Sequence, residues 1–255
     1  MTTAQIHRIV TQITGLLILL LFLPMFQTQA FSQSCPDNAQ AITPEPLMAD
    51  WAREWWMPRH EAKLTENGRE TAEVLFIGDS ITHEWETTGK AVADNYFSEF
   101  SVFNIGFSGD RTENVLWRIH HGELDGINPA LAVLMIGTNN TGHRQDPPQC
   151  TARGIQMILE EFRERLPEMK VLLLGIFPRG KTPDHDLRQI NDRVNILLKS
   201  MNDGEHIFYH NINTAFLDEN GILPESLMPD GLHPNEEGYR IWAQALLPLI
   251  QEHLD

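Results

Sequence analysis

The stretch AEVLFIGDS, Ala72–Ser80, decides how the chain is read. Its first six residues, Ala72–Ile77, form a near-continuous apolar run that stops at Gly78, as a strand buried on both faces would. Four further runs have the same character and are bounded by Gly, Asn or Pro: Ser101–Ile105, Leu131–Ile136, Val171–Ile176 and His206–Tyr209. Between them the apolar residues recur at helical spacing. Thr112–His121 places Val115, Leu116 and Ile119 on one face, Thr151–Leu166 has Ile155, Ile158, Leu159 and Phe162, and Leu187–Met201 has Ile190, Val194, Ile196, Leu197 and Leu198. A last helix is expected over Asn235–His253, and an earlier one over Pro44–Leu64 with a stripe of Trp51, Trp55, Trp56 and Met57. Strands alternating with helices predict an α/β fold, a parallel sheet sandwiched by helices. The 255 residues suit one such domain, and no repeat, low-complexity stretch or long linker divides them.

In sheets of this kind ligands bind beyond the carboxyl ends of the strands. The residues that follow the runs are therefore the candidates for chemistry. They are Gly78-Asp79-Ser80, then Gly106-Phe107-Ser108-Gly109-Asp110, then Gly137-Thr138-Asn139-Asn140, and, after the fifth run and a long loop, Asp230-Gly231-Leu232-His233. A serine hydroxyl needs a base within hydrogen-bond reach, and that base needs a group to fix its tautomer. Asp230 can accept from the Nδ1–H of His233, which leaves Nε2 free for the proton of Ser80. The Ser80 and Gly109 backbone N–H groups and the Asn139 side-chain amide are candidate donors to an oxyanion. Each piece has an ordinary structural role when it stands alone: Asp79 and Ser80 as turn and cap residues, Gly106 and Gly109 as turn formers, Asn139 as a cap. Their convergence on one rim, in this chain order, is what points to catalysis.

The formal net charge is −16, with 35 acidic against 19 basic residues. Such a surface repels nucleic acid and anionic membranes, which bind through clustered Lys and Arg, and no basic run occurs. The N-terminus reads as an export signal over residues 1–30. Arg8 precedes the apolar run Gly15–Leu23, Pro24 follows, and Thr28 and Ala30 offer a cleavage site. The run is too short to span the ~30 Å hydrocarbon core, so no stable membrane span is expected after cleavage; an uncleaved N-terminal anchor is the alternative. The remainder divides into an N-terminal extension with a helix, 31–70, and a catalytic domain, 71–255. Cys35 and Cys150 are the two cysteines. In an oxidising compartment they can pair, tying the mature N-terminus to the loop at Asp146–Thr151, or they can remain two free thiols.

These residues carry a resemblance. GDS at Gly78–Ser80, Gly109 in NIGFSGD, Asn139 in GTNN and Asp230/His233 in DGLHPN resemble the four blocks of the SGNH/GDSL hydrolase superfamily. Val115–Asn140 and Leu172–Gly180 further resemble the catalytic subunits of intracellular platelet-activating factor acetylhydrolase and bacterial secreted GDSL esterases, and the likeness runs from about Leu75 to Leu247. The resemblance implies a three-layer α/β/α sandwich of flavodoxin-like type with a five-stranded parallel sheet and no metal or other cofactor. It implies Ser80 as nucleophile, His233 as acid/base, Asp230 as its partner, and Ser80, Gly109 and Asn139 as the oxyanion hole. Ile81 stands where the family usually has Leu after GDS, a conservative change. The leader peptide departs from the intracellular acetylhydrolases, so their phospholipid substrate is not carried over.

The expectation is a secreted or periplasmic serine esterase, monomeric or homodimeric, that releases short acyl groups, acetyl above all, from a carbohydrate or small ester. A lysophospholipase or thioesterase is the enzymatic alternative, and a non-catalytic carbohydrate-binding protein on the same fold is the other class. Trp55, Trp56, Trp85 and Trp117 are candidates to stack on sugar rings, with core packing their ordinary role. A metal site would have to use His83, His120 and His121. The last two are adjacent on a helix and point about 100° apart, and HEW lacks the second histidine of HExxH.

Overall fold

The computed structural model describes residues 34–254; the expected leader, 1–30, lies outside them. Five strands form the sheet: β1 (Val74–Gly78), β2 (Val102–Gly106), β3 (Leu131–Met135), β4 (Lys170–Leu174) and β5 (Ile207–His210). They are hydrogen-bonded in the order β2-β1-β3-β4-β5, every pair parallel. Among the described residues seven α-helices accompany them: α1 (Trp56–Thr65), α2 (Ser80–His83), α3 (Lys90–Tyr96), α4 (Thr112–His120), α5 (Pro148–Arg165), α6 (Asp186–Lys199) and α7 (Glu236–Leu254).

Alternate strand residues feed two cores, because successive side chains leave opposite faces of a sheet. Leu75, Ile77, Phe103, Ile105, Ala132, Leu134, Val171 and Leu173 pack on one face with Trp56, Leu116, Ile155, Phe162 and Val194 from α1, α4, α5 and α6. Val74, Phe76, Leu131, Val133, Leu172 and Leu174 pack on the other with Val92, Tyr239, Trp242, Leu246 and Ile250 from α3 and α7. All five residues of β1 and of β3 are buried, which is why these runs show no polar alternation. The fold is the expected three-layer α/β/α sandwich, with each strand within two residues of its apolar run.

The helix expected over Pro44–Leu64 is corrected to the shorter α1. Pro44 and Pro46 cannot donate to a helix ladder, and Glu45 turns its backbone to α4 instead. Its N–H donates to the Glu113 carbonyl at 3.3 Å and its own carbonyl accepts from Asn114 Nδ2 at 2.9 Å. Leu47 and Ala52 are nevertheless buried in the first core, so this segment lies flat on the domain as an irregular strap. Cys35 and Cys150 are joined by a disulfide, which staples the start of that strap to the first turn of α5 rather than to a loop. Among the described residues no helix is long and apolar enough to cross a membrane.

Candidate active site

The register sets the site. Gly78, the last residue of β1, pairs with Gly106 of β2 on one side and Met135 of β3 on the other. The loops that carry Ser80, Gly109 and Asn139 therefore leave the sheet side by side. Gly78 must be glycine here, since a Cβ would lie 2.2 Å from Thr82 Oγ1 and 2.4 Å from the Met135 carbonyl oxygen. Asp79 caps α2 by accepting the Ile81 N–H at 3.0 Å, so its capping role and the position of Ser80 at the head of the helix go together.

Asp230 and His233 arrive from the loop between β5 and α7. The Gly180 N–H donates to the Gly231 carbonyl at 2.8 Å, pinning the loop from below. The result is a hydrogen-bonded chain across the mouth of β1. Ser80 Oγ stands 2.9 Å from His233 Nε2, and His233 Nδ1 stands 2.7 Å from Asp230 Oδ2. The other Asp230 oxygen accepts the backbone N–H groups of Leu232 at 2.9 Å and His233 at 2.7 Å. Partial burial works to raise the Asp230 pKa. The bonds from His233 and Leu232 outweigh it and hold the carboxyl below its usual range, so it is the ionised partner an imidazole requires. Ser80 is 8% exposed and the His233 side chain 33%, so the hydroxyl is recessed beneath an open rim.

Three candidate donors follow the neighbouring ends of β1, β2 and β3. Ser80 begins α2, and its N–H has no acceptor within the helix. Gly109 has φ +81°, a left-handed conformation that glycine adopts without strain. Asn139 Nδ2 donates one proton to the Asp110 carbonyl at 3.0 Å, which leaves its second for a ligand. A hydroxyl with a base and a nearby set of N–H donors is equipped for nucleophilic attack on a carbonyl and for holding the oxyanion that follows.

Several supporting contacts are not visible in the sequence. Asp110, beside Gly109, is fully buried; it accepts from Trp56 Nε1 at 2.6 Å and pairs with Arg118 at 2.9 Å, and Arg118 in turn pairs with Glu123. This buried network clamps the Gly109 loop, and its members are too far apart in the chain to form a motif. Arg179 donates to the Thr138 carbonyl at 2.7 Å, and burial lowers its pKa while the charges of Asp79 and Asp230 oppose that shift. The tryptophans named in the sequence take their ordinary role in packing. Trp56 and Trp85 are 1% and 4% exposed and belong to the cores, Trp55 and Trp117 are half-buried against the first core, and the exposed indole is Trp51 at 56%. The histidines considered for metal are engaged elsewhere. His83 Nδ1 lies 3.0 Å from Ser108 Oγ, His120 bonds Glu161, and His121 stacks on Trp117.

The fold and this rim define a class, the hydrolases built on a parallel α/β sandwich. The profile of the GDSL-like lipase/acylhydrolase family matches residues 76–241. The platelet-activating factor acetylhydrolase IB subunit alpha1 of Bos taurus is 34% identical over 218 residues, covering 84% of this chain and 90% of its own. The alpha2 subunit of Rattus norvegicus is 33% identical over 201 residues, covering 78% and 85%. The chain belongs to the GDSL-like lipase/acylhydrolase family and is a hydrolase acting on ester bonds. Solved structures share the fold. A GDSL-like lipase from Bacteroides thetaiotaomicron has a TM-score of 0.60 at 21% identity, covering 78% of this chain and 97% of that one. An acetylxylan esterase from Geobacillus stearothermophilus has a TM-score of 0.58 at 18% identity, covering 70% and 94%.

Proposed function

We propose that the protein is an exported serine esterase that removes short acyl groups, acetyl above all, from a carbohydrate or small ester. The observation that carries the reading is the unbroken chain from Ser80 Oγ through His233 to Asp230. Ser80 attacks the ester carbonyl while His233 Nε2 takes its proton and Asp230 steadies the imidazolium. The tetrahedral oxyanion is held by the N–H groups of Ser80 and Gly109 and by Asn139 Nδ2. Collapse expels the alcohol, which takes its proton from His233, and leaves Ser80 acylated. Water, deprotonated by the same imidazole, then releases the acid and restores the hydroxyl.

Acetyl is the acyl group common to the names of the acetylhydrolase relatives and of the acetylxylan esterase. The open rim over Ser80 suits a small acyl group on a bulky alcohol. Export is supported by the apolar run Gly15–Leu23 and by the disulfide, since such bonds persist in oxidising compartments. The test is the hydrolysis of p-nitrophenyl esters of rising chain length. The Ser80→Ala variant, with unchanged circular dichroism, should lose at least about 10³-fold in kcat, and acetate should be preferred. Activity retained in that variant excludes Ser80 as nucleophile, and rates that climb with chain length favour a lysophospholipase or thioesterase.

A further inference from the structure

The geometry points to Trp51 as the platform of a saccharide subsite that receives the alcohol half of the ester, an inference that rests on the carbohydrate-ester reading above. Trp51 is one of three large hydrophobic side chains left exposed among the described residues, and Met48, on the same strap, is another. Its place relative to the catalytic rim is set by Gly109. A Cβ on that glycine would lie 2.2 Å from Trp51 Cη2 and 2.8 Å from Cζ2, so the benzo edge of the indole rests directly on the backbone of an oxyanion-loop residue while much of the ring stays in solvent. An ester whose carbonyl oxygen is bound at Gly109 must place its alcohol oxygen within a few ångströms, and hence its first sugar ring beside this indole.

The platform is fixed. Trp55 Nε1 donates to the Trp51 carbonyl at 3.2 Å, and the Trp51 and Trp55 rings stand 6.0 Å apart at a 32° tilt. Trp55 continues to His83 at 6.0 Å, an aromatic row that runs from the oxyanion loop back to α2. Behind it Leu47 is buried and the Cys35–Cys150 bond anchors the strap. An indole held in this way loses little rotamer entropy on binding, and its face suits the apolar C–H face of a pyranose.

The neighbouring surface selects among ligands. A groove of about 260 Å³ borders the strap and is lined by Gln40, Glu45, Met48, Arg111 and Asn114. Gln40, Glu45 and Arg111 supply donors and acceptors for sugar hydroxyls, while Asn114 is buried and bonded to the backbone of Glu45 and Arg111. Arg111 contributes a half-buried guanidinium whose Nε donates to the Asn139 carbonyl at 3.4 Å. The groove thus carries one cation, Arg111, one carboxylate, Glu45, and the Gln40 amide, a mixed polar lining that suits the hydroxyls of a saccharide, and acetylcholine tests the quaternary ammonium that an exposed indole can also hold.

The test compares three acetyl esters, penta-O-acetylglucopyranose, acetylcholine and vinyl acetate, in the wild type and in Trp51→Ala and Trp51→Phe. The expected result is a KM for the acetylated sugar raised about tenfold in Trp51→Ala with kcat little changed, largely restored in Trp51→Phe, and kinetics on vinyl acetate within twofold of wild type. Equal losses on sugar and vinyl acetate would mean that Trp51 only shapes the Gly109 loop, and a loss confined to acetylcholine would mean a choline site; either overturns the inference, as does no change at all. A wild type that cleaves vinyl acetate but not the sugar rejects the carbohydrate reading itself, whereas sugar cleaved equally well with and without Trp51 rejects only the subsite. Titrating the Ser80→Ala protein with the acetylated sugar and following tryptophan fluorescence decides the subsite independently of turnover. The change must vanish in the Ser80→Ala/Trp51→Ala protein, and a change that persists there overturns the inference.

Discussion

Asp79 shares the GDS motif with Ser80 but lies in a different environment, 1% exposed beneath the helix it caps. Burial pushes its pKa up to about 7 against the opposing effects of the Ile81 N–H and the charges of His233 and Arg179. A carboxyl with a raised native pKa holds a proton that the unfolded chain releases, so its contribution to stability is full in acid and is lost as pH rises between about 4 and about 7. The Asp79→Asn variant keeps an oxygen for the Ile81 N–H and removes the titration. Its stability should exceed that of the wild type by a few kcal/mol above pH 7 and converge with it near pH 4, at about 1.4 kcal/mol per pH unit of the window. Urea unfolding across pH 4.5–8 checks this, and parallel pH curves for the two proteins would contradict it. At this scale the sequence was informative about which residues gather at the strand ends, since Ser80, His233 and Asp230 are hydrogen-bonded there and Gly109 and Asn139 follow the neighbouring strands. It was silent about the pairing of Asp110 with Arg118 and of Arg118 with Glu123, because a buried ion network between distant residues leaves no periodic mark.

Among the elements, α2 is the one most dependent on its neighbours. Four residues form it, and beyond the Asp79 cap its hold on the domain includes the Tyr239 hydroxyl of α7, which donates to the Ile81 carbonyl at 2.7 Å. This bond joins the helix that starts with Ser80 to the helix that follows His233. Tyr239→Phe keeps the buried ring and leaves the carbonyl without that partner, so the protein should lose about 1–2 kcal/mol of stability. It should also lose several-fold in kcat with KM nearly unchanged, because the two halves of the site are then less firmly aligned. Unfolding curves and steady-state rates on p-nitrophenyl acetate measure both, and wild-type values would show that α2 is positioned by the strand alone. Long amphipathic helices such as α4, α5 and α6 could be read from their apolar spacing. Short ones could not: α2 and α3 bury too few residues to set up a period, and the tryptophan stripe, of which only Trp56 and Met57 fall in α1, extended the expected helix back over a segment that two prolines and the bonds to α4 keep irregular.

The whole molecule holds together from two ends, a sheet with helices on both faces and a disulfide across 115 positions that fastens the strap. A loop of that size should contribute about 4–5 kcal/mol through the entropy of the unfolded chain. The Cys35→Ser/Cys150→Ser protein is expected to unfold at a clearly lower urea concentration while its sheet and Ser80–His233 pair persist. A midpoint equal to that of the oxidised wild type would remove the disulfide from the account of stability. The sequence by itself determined the architecture and the rim on which Ser80, His233 and Asp230 meet, since burial on both faces forces continuous apolar strands and the strand ends are where a parallel α/β sheet presents its loops. Only the tertiary structure decided that the cysteines pair, that Asp110 clamps Gly109 and that Trp51 rather than Trp56 or Trp85 meets solvent. Each of these is a contact between residues distant in the chain, and packing in three dimensions, not local pattern, selects such contacts.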